Sequence, residues 1–394
     1  MGFTETHLKT NNHVNGTKEG ARLTILHLGD PIEYNHALYS HLESQFNIIR
    51  PEPSCLSRRA FIRHLQAKTW GNFSAIMRPY WNTGNEMARW DRELIELLPH
   101  SMKVMASAGA GYEWVDVDVL AEYGILYCNG AGACTESVAD MALYHIISVF
   151  RQMTRSSLAA RSNNISEYQD AHRRVAYESH NPRGHTLGIV GLGNIGFAIA
   201  KKVRNALGMR ILYFDVQRKS REQEKEAGAT FFDDRDELFR QSDCLLLATP
   251  AGPQVLTRRA LELLPRGARV VNIARGSLVD EDALADALES GHVSAAGLDV
   301  HKKEPQVSKR LSEMQNVTLT SHTGGSSLET VKSFERLAME NVDAVLNGEE
   351  PLTAVNKLAV EKHLKRDRTN GTTVNGHVNG NSGTEPLNGQ TNGH

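Results

Sequence analysis

A glycine-rich segment restricts the fold of this chain more than any other feature of its sequence. Gly191-Leu192-Gly193-Asn194-Ile195-Gly196 follows an apolar, β-rich run at 186–190 and opens a stretch of helical composition. Between a strand and a helix, the pattern G-x-G-x-x-G is typical of a turn that holds the pyrophosphate of a dinucleotide. Gly191 permits the tight turn, Gly193 lets the backbone approach the phosphates, and Gly196 permits close packing of the helix on the strand. The segment therefore predicts an α/β unit that binds a dinucleotide; the alternative is a purely structural glycine turn.

An acidic residue stands at the end of the next predicted strand. Asp215 lies nineteen residues past Gly196 and ends the run 211–215. An acid at this place accepts hydrogen bonds from the adenosine ribose hydroxyls and repels a 2′-phosphate, so it favours NAD over NADP. Arg218 and Lys219 follow within four residues and are able to reach a 2′-phosphate, so NADP stays open. An ordinary turn aspartate is the structural alternative.

Short β-rich runs alternate with helical periodicity along most of the chain. Alternation of this kind predicts parallel sheets covered by helices on both faces. Two series of strands, with a long apolar-faced helix at about 136–153 between them, predict two α/β domains. The predicted strands are 23–28, 74–77, 103–106 and 125–128 in the first series, and 186–190, 210–214, 244–248, 269–274, 294–298 and 317–320 in the second.

The composition argues against several classes of protein. The 394 residues include 44 Lys plus Arg and 46 Asp plus Glu, so the near-neutral chain offers no broad basic surface for nucleic acid or anionic lipid. No run approaches the roughly 18 to 20 apolar residues of a membrane span, and the polar first twenty residues lack a signal-peptide core. The four cysteines form no C-x-x-C pair, as expected for reduced thiols. We expect a cytoplasmic protein with no nucleic-acid or membrane partner and no metal site.

The two ends of the chain differ from its middle. Residues 370–394 include six Asn and six Gly, and the first twenty residues share this bias. Segments of this kind cannot bury enough apolar surface to offset the entropy lost on ordering. We therefore expect disorder over 1–20 and 366–394.

Three later segments each place one chemically useful side chain at the end of a predicted strand: Arg275, Glu304 and His322. The carboxyl ends of strands in an open parallel sheet face the crevice where ligands bind, so the three residues are expected to converge. Taken singly, each has an ordinary structural alternative, as a surface arginine, a loop acid or a hydrogen-bonded histidine. Together they suit carbonyl reduction. Arg275 can polarise a keto oxygen and bind an adjacent carboxylate, His322 can donate a proton, and Glu304 can hold the imidazole protonated.

The chain resembles the D-isomer-specific 2-hydroxyacid dehydrogenases over about 21–357. Beside the glycine turn and the three segments just described, the resemblance rests on 107–116 (SAGAGYEWVD) and 136–140 (ESVAD). Within the family it is strongest to the fungal members that act on D-mandelate. The segments that carry this closer likeness are 180–185 (HNPRGH), 297–301, 304–309, 317–322, 324–325 and 334–337.

The resemblance implies a fold and a domain organisation. The fold would be two Rossmann-like, doubly wound parallel-sheet domains with the active site in the cleft between them. A discontinuous substrate (catalytic) domain would comprise 21–128 and 325–365, and an NAD-binding domain would comprise 129–324. The family also implies a homodimer formed through the NAD-binding domain, with the helix near 136–153 as the candidate surface.

The resemblance further assigns site residues. Arg275, Glu304 and His322 would form the catalytic triad, and the substrate carboxylate would meet Arg275 and the backbone N–H groups of Ala110 and Gly111. Tyr80, Trp81 and Met105 are candidates for the side-chain pocket, and each has a core role as its alternative. The implied cofactor contacts are Val138, Gly191, Gly193, Asn194, Ile195, Gly196, Asp215, Thr249, Pro250, Ala274, Asp299, His322 and Gly325.

The implied activity is reduction of 2-keto acids to D-2-hydroxy acids with NAD as cofactor. Aromatic or branched substrates, such as mandelate and benzoylformate, are favoured by the closer likeness. One alternative is an NADPH-dependent glyoxylate or hydroxypyruvate reductase. An alternative of another class is a dinucleotide-sensing binding protein, like the corepressors built on this fold.

Overall fold

Two parallel β-sheets form the frame of the protein in a computed structural model that describes residues 22–80 and 87–369. The first sheet contains β1 (Thr24–His27), β2 (Asn47–Ile49), β3 (Ala75–Arg78), β4 (Val104–Ser107) and β5 (Leu126–Cys128). The second contains β6 (Thr186–Val190), β7 (Arg210–Phe214), β8 (Ala229–Phe231), β9 (Cys244–Leu247), β10 (Ala268–Asn272), β11 (Val293–Leu298) and β12 (Val317–Leu319). The strand orders are β2-β1-β3-β4-β5 and β12-β11-β10-β9-β6-β7-β8.

Helices cover both faces of each sheet. In the first part of the chain they are α1 (His36–Gln45), α2 (Arg58–Gln66), α3 (Arg92–Ile95), α4 (Val117–Glu122), α5 (Thr135–Arg151), α6 (Met153–Arg161) and α7 (Ile165–Glu178). Those that follow are α8 (Asn194–Leu207), α9 (Arg221–Ala227), α10 (Arg235–Arg240), α11 (Arg258–Glu262), α12 (Glu281–Glu289), α13 (Lys309–Ser312), α14 (Leu328–Leu346) and α15 (Lys357–Thr369).

Local sequence explains where several helices begin and end. The Asp280 carboxylate accepts a hydrogen bond from the Ala283 backbone and caps α12, whose first turn carries two more acids. At the end of α8, Gly208 adopts φ +64°, the left-handed conformation that glycine accepts at a helix C-terminus. These signals fix the element ends that lie beside the strands.

Each sheet is buried on both faces, as parallel sheets require. In the second sheet, β6 is buried along its whole length between two apolar clusters. α14 returns to the first sheet, where Ala338, Met339 and Val342 pack against it. The buried Glu335 carboxylate on α14 accepts hydrogen bonds from the backbone of the loop after β1. The chain therefore leaves the first sheet at α5 and comes back to it at α14.

The predicted fold class, with its ten strands and the helix after the first series, is confirmed. Two strands, β2 and β8, were not predicted from the sequence; each is a three-residue edge strand, too short for a clear period-2 pattern. The prediction of disorder from 366 onward is wrong for 366–369. These residues continue α15, whose Glu, Lys and Arg residues favour helix. Disorder at 1–20 and 370–394 falls outside the described residues.

No helix within residues 22–80 and 87–369 combines the length and the apolar character needed to cross a membrane.

Candidate active site

A cavity of about 760 Å³ lies between the carboxyl ends of the two sheets. This is the place where ligands bind to open parallel sheets, and the volume suits a small molecule together with part of a cofactor. Its walls come from both halves of the chain. Predicted site residues in its lining are Ala110, Gly111, Val138, Ile195, Arg275, Asp299, Glu304, His322 and Gly325.

Glu304 and His322 form a hydrogen-bonded pair at the second-sheet side of the cavity. The His322 Nδ1 donates to Glu304 Oε2 at 2.8 Å, and the other carboxylate oxygen accepts from the His301 backbone at 2.8 Å. A carboxylate only accepts, so Nδ1 carries the proton and Nε2 is the nitrogen available to a ligand. The Glu304 carboxylate therefore fixes the orientation of the imidazole ring and the position of its Nδ1 proton.

The turn that carries His322 is wrapped around the buried Asp299. Its carboxylate accepts from the backbone N–H groups of Thr323 at 3.0 Å and Gly324 at 2.8 Å, and from the Thr320 hydroxyl at 2.6 Å. The His322 N–H donates to the Asp299 carbonyl at 2.7 Å, and His322 itself adopts φ +55°. Asp299 was predicted as a cofactor contact. Its three carboxylate bonds place it as the support of the His322 turn, with limited capacity for a further partner.

A buried histidine on α5 extends this network. His145 Nε2 donates to Thr320 Oγ1 at 3.0 Å, and that hydroxyl donates in turn to Asp299. Burial, opposed only weakly by the charge of Asp299, lowers the pKa of His145 to about 4. His145 is therefore a neutral donor at physiological pH, and it fixes the hydroxyl that orients Asp299.

Arg275 extends from the turn after β10 towards the first sheet. Asn272, at the end of β10, accepts from the Ala274 backbone at 3.0 Å and donates to the Arg275 carbonyl at 2.9 Å, so the turn is fixed. The Arg275 Nη1 donates to the Ala274 carbonyl at 2.7 Å. Its Nε donates to a carboxylate oxygen of Glu113, on the loop after β4. Burial alone would raise the pKa of Glu113, but the hydrogen bond and charge of Arg275 outweigh it and lower this pKa.

The backbone predicted to receive a substrate carboxylate lies directly opposite Arg275. Asn129 donates to the Ala110 carbonyl at 2.8 Å, and the Gly130 N–H donates to the Gly109 carbonyl at 2.7 Å. A Cβ built on Gly111 would overlap Arg275 Nη2. The guanidinium thus packs against the backbone at 111, and a larger residue there would displace it.

The glycine turn between β6 and α8 has the geometry its sequence predicts. Gly191 adopts φ +97°, and a Cβ there would lie 2.8 Å from the Ala248 carbonyl oxygen. A Cβ on Gly196 would overlap the Gly191 carbonyl, whereas one on Gly193 would meet no atom within 4 Å. Gly193 is the N-cap residue of α8, so open space lies before the free N–H groups of a fourteen-residue helix. Such a helix end binds phosphate groups.

The end of β7 provides the acid expected beside the adenosine ribose. Asp215 accepts from the Leu192 backbone at 2.8 Å and pairs with Lys219 Nζ at 3.2 Å. Arg218 is held by Glu224, with Nε at 2.8 Å and Nη2 at 3.0 Å from its two oxygens. Both basic side chains that were considered for a 2′-phosphate are therefore engaged by carboxylates.

The remaining predicted cofactor residues lie just after β9, just after β10 and in the first turn of α8. Thr249 and Pro250 follow β9, and Ala274 follows β10. The Thr249 hydroxyl oxygen is buried and has no hydrogen-bond partner among the described residues. This unpartnered oxygen and the open space before Gly193 fit a bound dinucleotide. Asn194 lines a groove between α8 and α5.

The first domain supplies an apolar wall that sequence reasoning identified only in part. Tyr80 lines the cavity, as one of its two alternatives predicted. For Met105 the core alternative holds: it is fully buried beneath the first sheet, because its strand is covered on both faces. Trp81 lies outside the described residues. Cavity residues from this half of the chain that were not predicted include Met87, Trp90, Trp114 and Glu113. Trp114 and Glu113 directly follow the glycine loop, and that proximity was the available signal.

No cluster of three or more His, Cys, Asp or Glu side chains suited to a metal ion occurs in the described part of the chain.

Comparison with known proteins agrees with this architecture. The model of the D-isomer specific 2-hydroxyacid dehydrogenase NAD binding domain matches residues 143–324. A glyoxylate reductase of Thermococcus litoralis is 33% identical over 270 residues, 68% of this chain and 80% of that protein. The 4-methyl-2-oxopentanoate reductase A of Aspergillus oryzae is 32% identical over 303 residues, 76% of this chain and 88% of that protein.

Among solved structures, the holo form of Rhodotorula graminis D-mandelate dehydrogenase is 40% identical, with a TM-score of 0.83 over 85% of this chain and 98% of that one. Fold, dinucleotide turn and cleft together define a protein of the NAD(P)-binding class with a small-molecule site beside the cofactor. The chain belongs to the D-isomer-specific 2-hydroxyacid dehydrogenases, which act on the CH–OH group of 2-hydroxy acids. The predictions of the family, of an enzyme and of an NAD(P) cofactor are thereby confirmed.

Proposed function

We propose that this protein reduces aromatic or branched 2-keto acids to D-2-hydroxy acids with NADH. The observation that carries the proposal is the apolar wall that the first half of the chain contributes to the cavity. Trp90, Trp114, Met87 and Tyr80 line it. Glyoxylate has no side chain to bury, so a wall of this size offers it no binding energy, whereas a phenyl or isobutyl group would gain from burial there.

The charged groups of the cleft fit the two polar ends of such a substrate. Arg275, with the Ala110 and Gly111 N–H groups, would bind the carboxylate and polarise the keto oxygen. His322, oriented by Glu304, would donate a proton from Nε2 to that oxygen as it gains charge. The nicotinamide, when bound, supplies the hydride. Val138, Ile195 and Gly325 line the same cavity and would exclude water from this face.

The cofactor preference we propose is for NAD over NADP. Asp215 provides the ribose acceptor, and its charge opposes a 2′-phosphate. Lys219 and Arg218 are both paired with carboxylates, so a 2′-phosphate would have to break one of these pairs to gain a cationic partner.

A homodimer formed through the NAD-binding half is also proposed. Several large apolar side chains on α5, α6 and α7 are exposed, and a second copy of the chain would cover them. The exposed residues are Tyr144, Met153, Leu158, Ile165, Tyr168 and Tyr177. Sedimentation analysis of wild type and of Ile165→Glu/Tyr168→Glu tests this surface. The domain limits and the cytoplasmic location remain predictions from the sequence.

The activity is tested by following NADH absorbance with benzoylformate, 4-methyl-2-oxopentanoate, hydroxypyruvate and glyoxylate, each repeated with NADPH. The proposal expects the highest kcat/KM with one of the first two acids and NADH, and a D product by chiral chromatography. A kcat/KM that is highest for glyoxylate or hydroxypyruvate with NADPH would establish the alternative reductase. His322→Asn, purified identically, controls for contaminating dehydrogenases.

A further inference from the structure

One acid in the cleft has no part in the predicted triad. Glu113 lies on the loop after β4, in the first half of the chain, yet its carboxylate contacts Arg275 of the second half. Arg275 Nε donates to Glu113 Oε1, and Nη2 makes a longer contact of 3.5 Å with Oε2. A carboxylate–arginine pair inside the cavity is placed to affect the group that would bind the substrate.

The pair restricts the orientation of the guanidinium. A guanidinium has five N–H donors in one rigid plane. Glu113 takes the Nε donor and approaches Nη2, while the Ala274 carbonyl takes a donor of Nη1 at 2.7 Å. One N–H on each terminal nitrogen remains for a ligand. The plane is thus fixed from two sides before any substrate arrives.

Gly111 completes this arrangement. A Cβ built there would overlap Arg275 Nη2 and would lie 2.8 Å from Glu113 Oε2. The guanidinium, the Glu113 carboxylate and the Gly111 backbone therefore form one packed unit across the cleft. That unit is where the substrate carboxylate would bind.

We propose that Glu113 is a positioning residue for the reaction: it holds Arg275 across the cleft so that the remaining N–H groups meet the substrate carboxylate and keto oxygen. The inference rests on the proposed function and deepens it. A misplacement of about 1 Å at a reacting group can cost roughly 10²-fold in rate, so loss of this pair should be visible in both kcat and KM.

The test is a double-mutant cycle on Glu113 and Arg275, measured with the 2-keto acid that wild type reduces fastest. Glu113→Gln keeps the size of the side chain but removes its charge. We expect kcat/KM to fall roughly 10- to 100-fold, with a higher KM and a lower kcat. In an Arg275→Lys background, which lacks the planar fork, Glu113→Gln should cause little further loss. The dissociation constant for NADH, measured by fluorescence titration without substrate, should be unchanged.

Glu122→Gln is the matched control, because Glu122 forms a comparable half-exposed pair with Arg92 outside the cavity. It should leave kinetics and NADH affinity as in wild type. A fall in KM in Glu113→Gln would overturn the proposal, since Glu113 would then compete with the substrate for Arg275. An equal loss in both backgrounds, or a parallel loss of thermal midpoint and NADH affinity, would also overturn it. Wild type that reduces none of the 2-keto acids would refute the proposed function first, and this inference with it.

Discussion

Two glycine-rich turns follow parallel strands in this molecule, one in each half, and their glycines serve different neighbours. In the turn after β6, Gly191 and Gly196 make room for backbone of the same domain, and Gly193 leaves space for a ligand. In the turn after β4, Gly111 makes room for Arg275, which belongs to the other half of the chain. The dinucleotide turn is therefore complete within one domain, whereas the proposed carboxylate site exists only where the two halves face each other.

This difference explains what each turn should tolerate. A change in the first turn should alter cofactor affinity and leave the chemistry of the bound substrate alone. A change in the second should alter the placement of Arg275 and leave cofactor affinity alone. Substitutions in the two turns and at the reacting groups should therefore separate kcat from NADH affinity.

The largest loss is expected for His322→Asn, which removes the proposed proton donor. Reduction should slow by roughly 10²–10⁴-fold in kcat, the span usual for general acid catalysis. The NADH dissociation constant should stay near the wild-type value, because the phosphate-binding turn is elsewhere. Steady-state kinetics measure the change in kcat, and fluorescence titration measures the NADH dissociation constant. A variant with normal kcat would require another acid.

Gly111→Ala should lower kcat/KM by roughly 10²-fold, because the new methyl group occupies the position of Arg275 Nη2 and displaces the guanidinium. The displaced group is the end of a flexible side chain, so the thermal midpoint should change little. NADH affinity should also be unchanged. Loss of NADH affinity in this variant would break the proposed separation of the two turns.

Gly193→Ala should weaken NADH binding and leave kcat nearly unchanged, the reverse of the effect expected for Gly111→Ala. Gly193 has φ −70°, and a methyl group added there would meet no atom within 4 Å, so the protein should fold normally. The methyl group would, however, stand where the pyrophosphate must approach the backbone. We expect a roughly tenfold weaker NADH affinity, about 1.4 kcal/mol, with little change in kcat at saturating NADH. Unchanged affinity would show that the phosphates bind elsewhere.

A smaller, selective effect is expected for Asp215→Ala. Loss of the carboxylate removes the ribose acceptor and frees Lys219. The ratio of kcat/KM for NADPH to that for NADH should rise several-fold. Lys201→Ala, which breaks the surface pair with Glu226 on a neighbouring helix, should leave the ratio unaltered. An unchanged ratio in Asp215→Ala would assign the preference to other residues.

The last prediction concerns stability and compares one buried histidine in each half. Burial lowers the pKa of His27 and that of His145 to about 4 in the folded protein, against an ordinary value of 6.5. Between these values the unfolded chain takes up protons that the folded protein does not, so stability should fall as pH drops from about 6.5 towards 4. Each histidine should account for about 2 kcal/mol between pH 7 and pH 5.

Urea unfolding at several pH values measures this loss. His27→Gln and His145→Gln should each flatten the dependence, while the exposed His41→Gln should not. Equal slopes in all four proteins would mean that carboxylates, and not these histidines, dominate the acid sensitivity.

The same difference between the turns decides how much was predictable from the sequence. Six of the seven strands of the second sheet, the glycine turn and the Glu304–His322 pair follow from motifs contained in short segments. Glu113, Trp90 and Trp114 contribute to the cavity only through the arrangement of two halves that are far apart in sequence. Met105 was considered for the cavity but lies in the core. Its strand is apolar on both faces, so the local sequence does not show which face meets the cavity. The support given by His145 to Asp299 likewise spans more than 150 residues.

The backbone of His322 has a consequence for how this protein tolerates change. At φ +55° a side chain with a Cβ is disfavoured by about 1–2 kcal/mol, and glycine is the residue that fits without that penalty. The imidazole is nevertheless the group that the proposed chemistry needs. At position 322, glycine would therefore give the more stable backbone, whereas histidine is needed for the proposed reaction. His322→Gly should therefore give a well-folded protein that binds its cofactor but has very low reductase activity. A single substitution would thus convert an enzyme of this fold into a cofactor-binding protein.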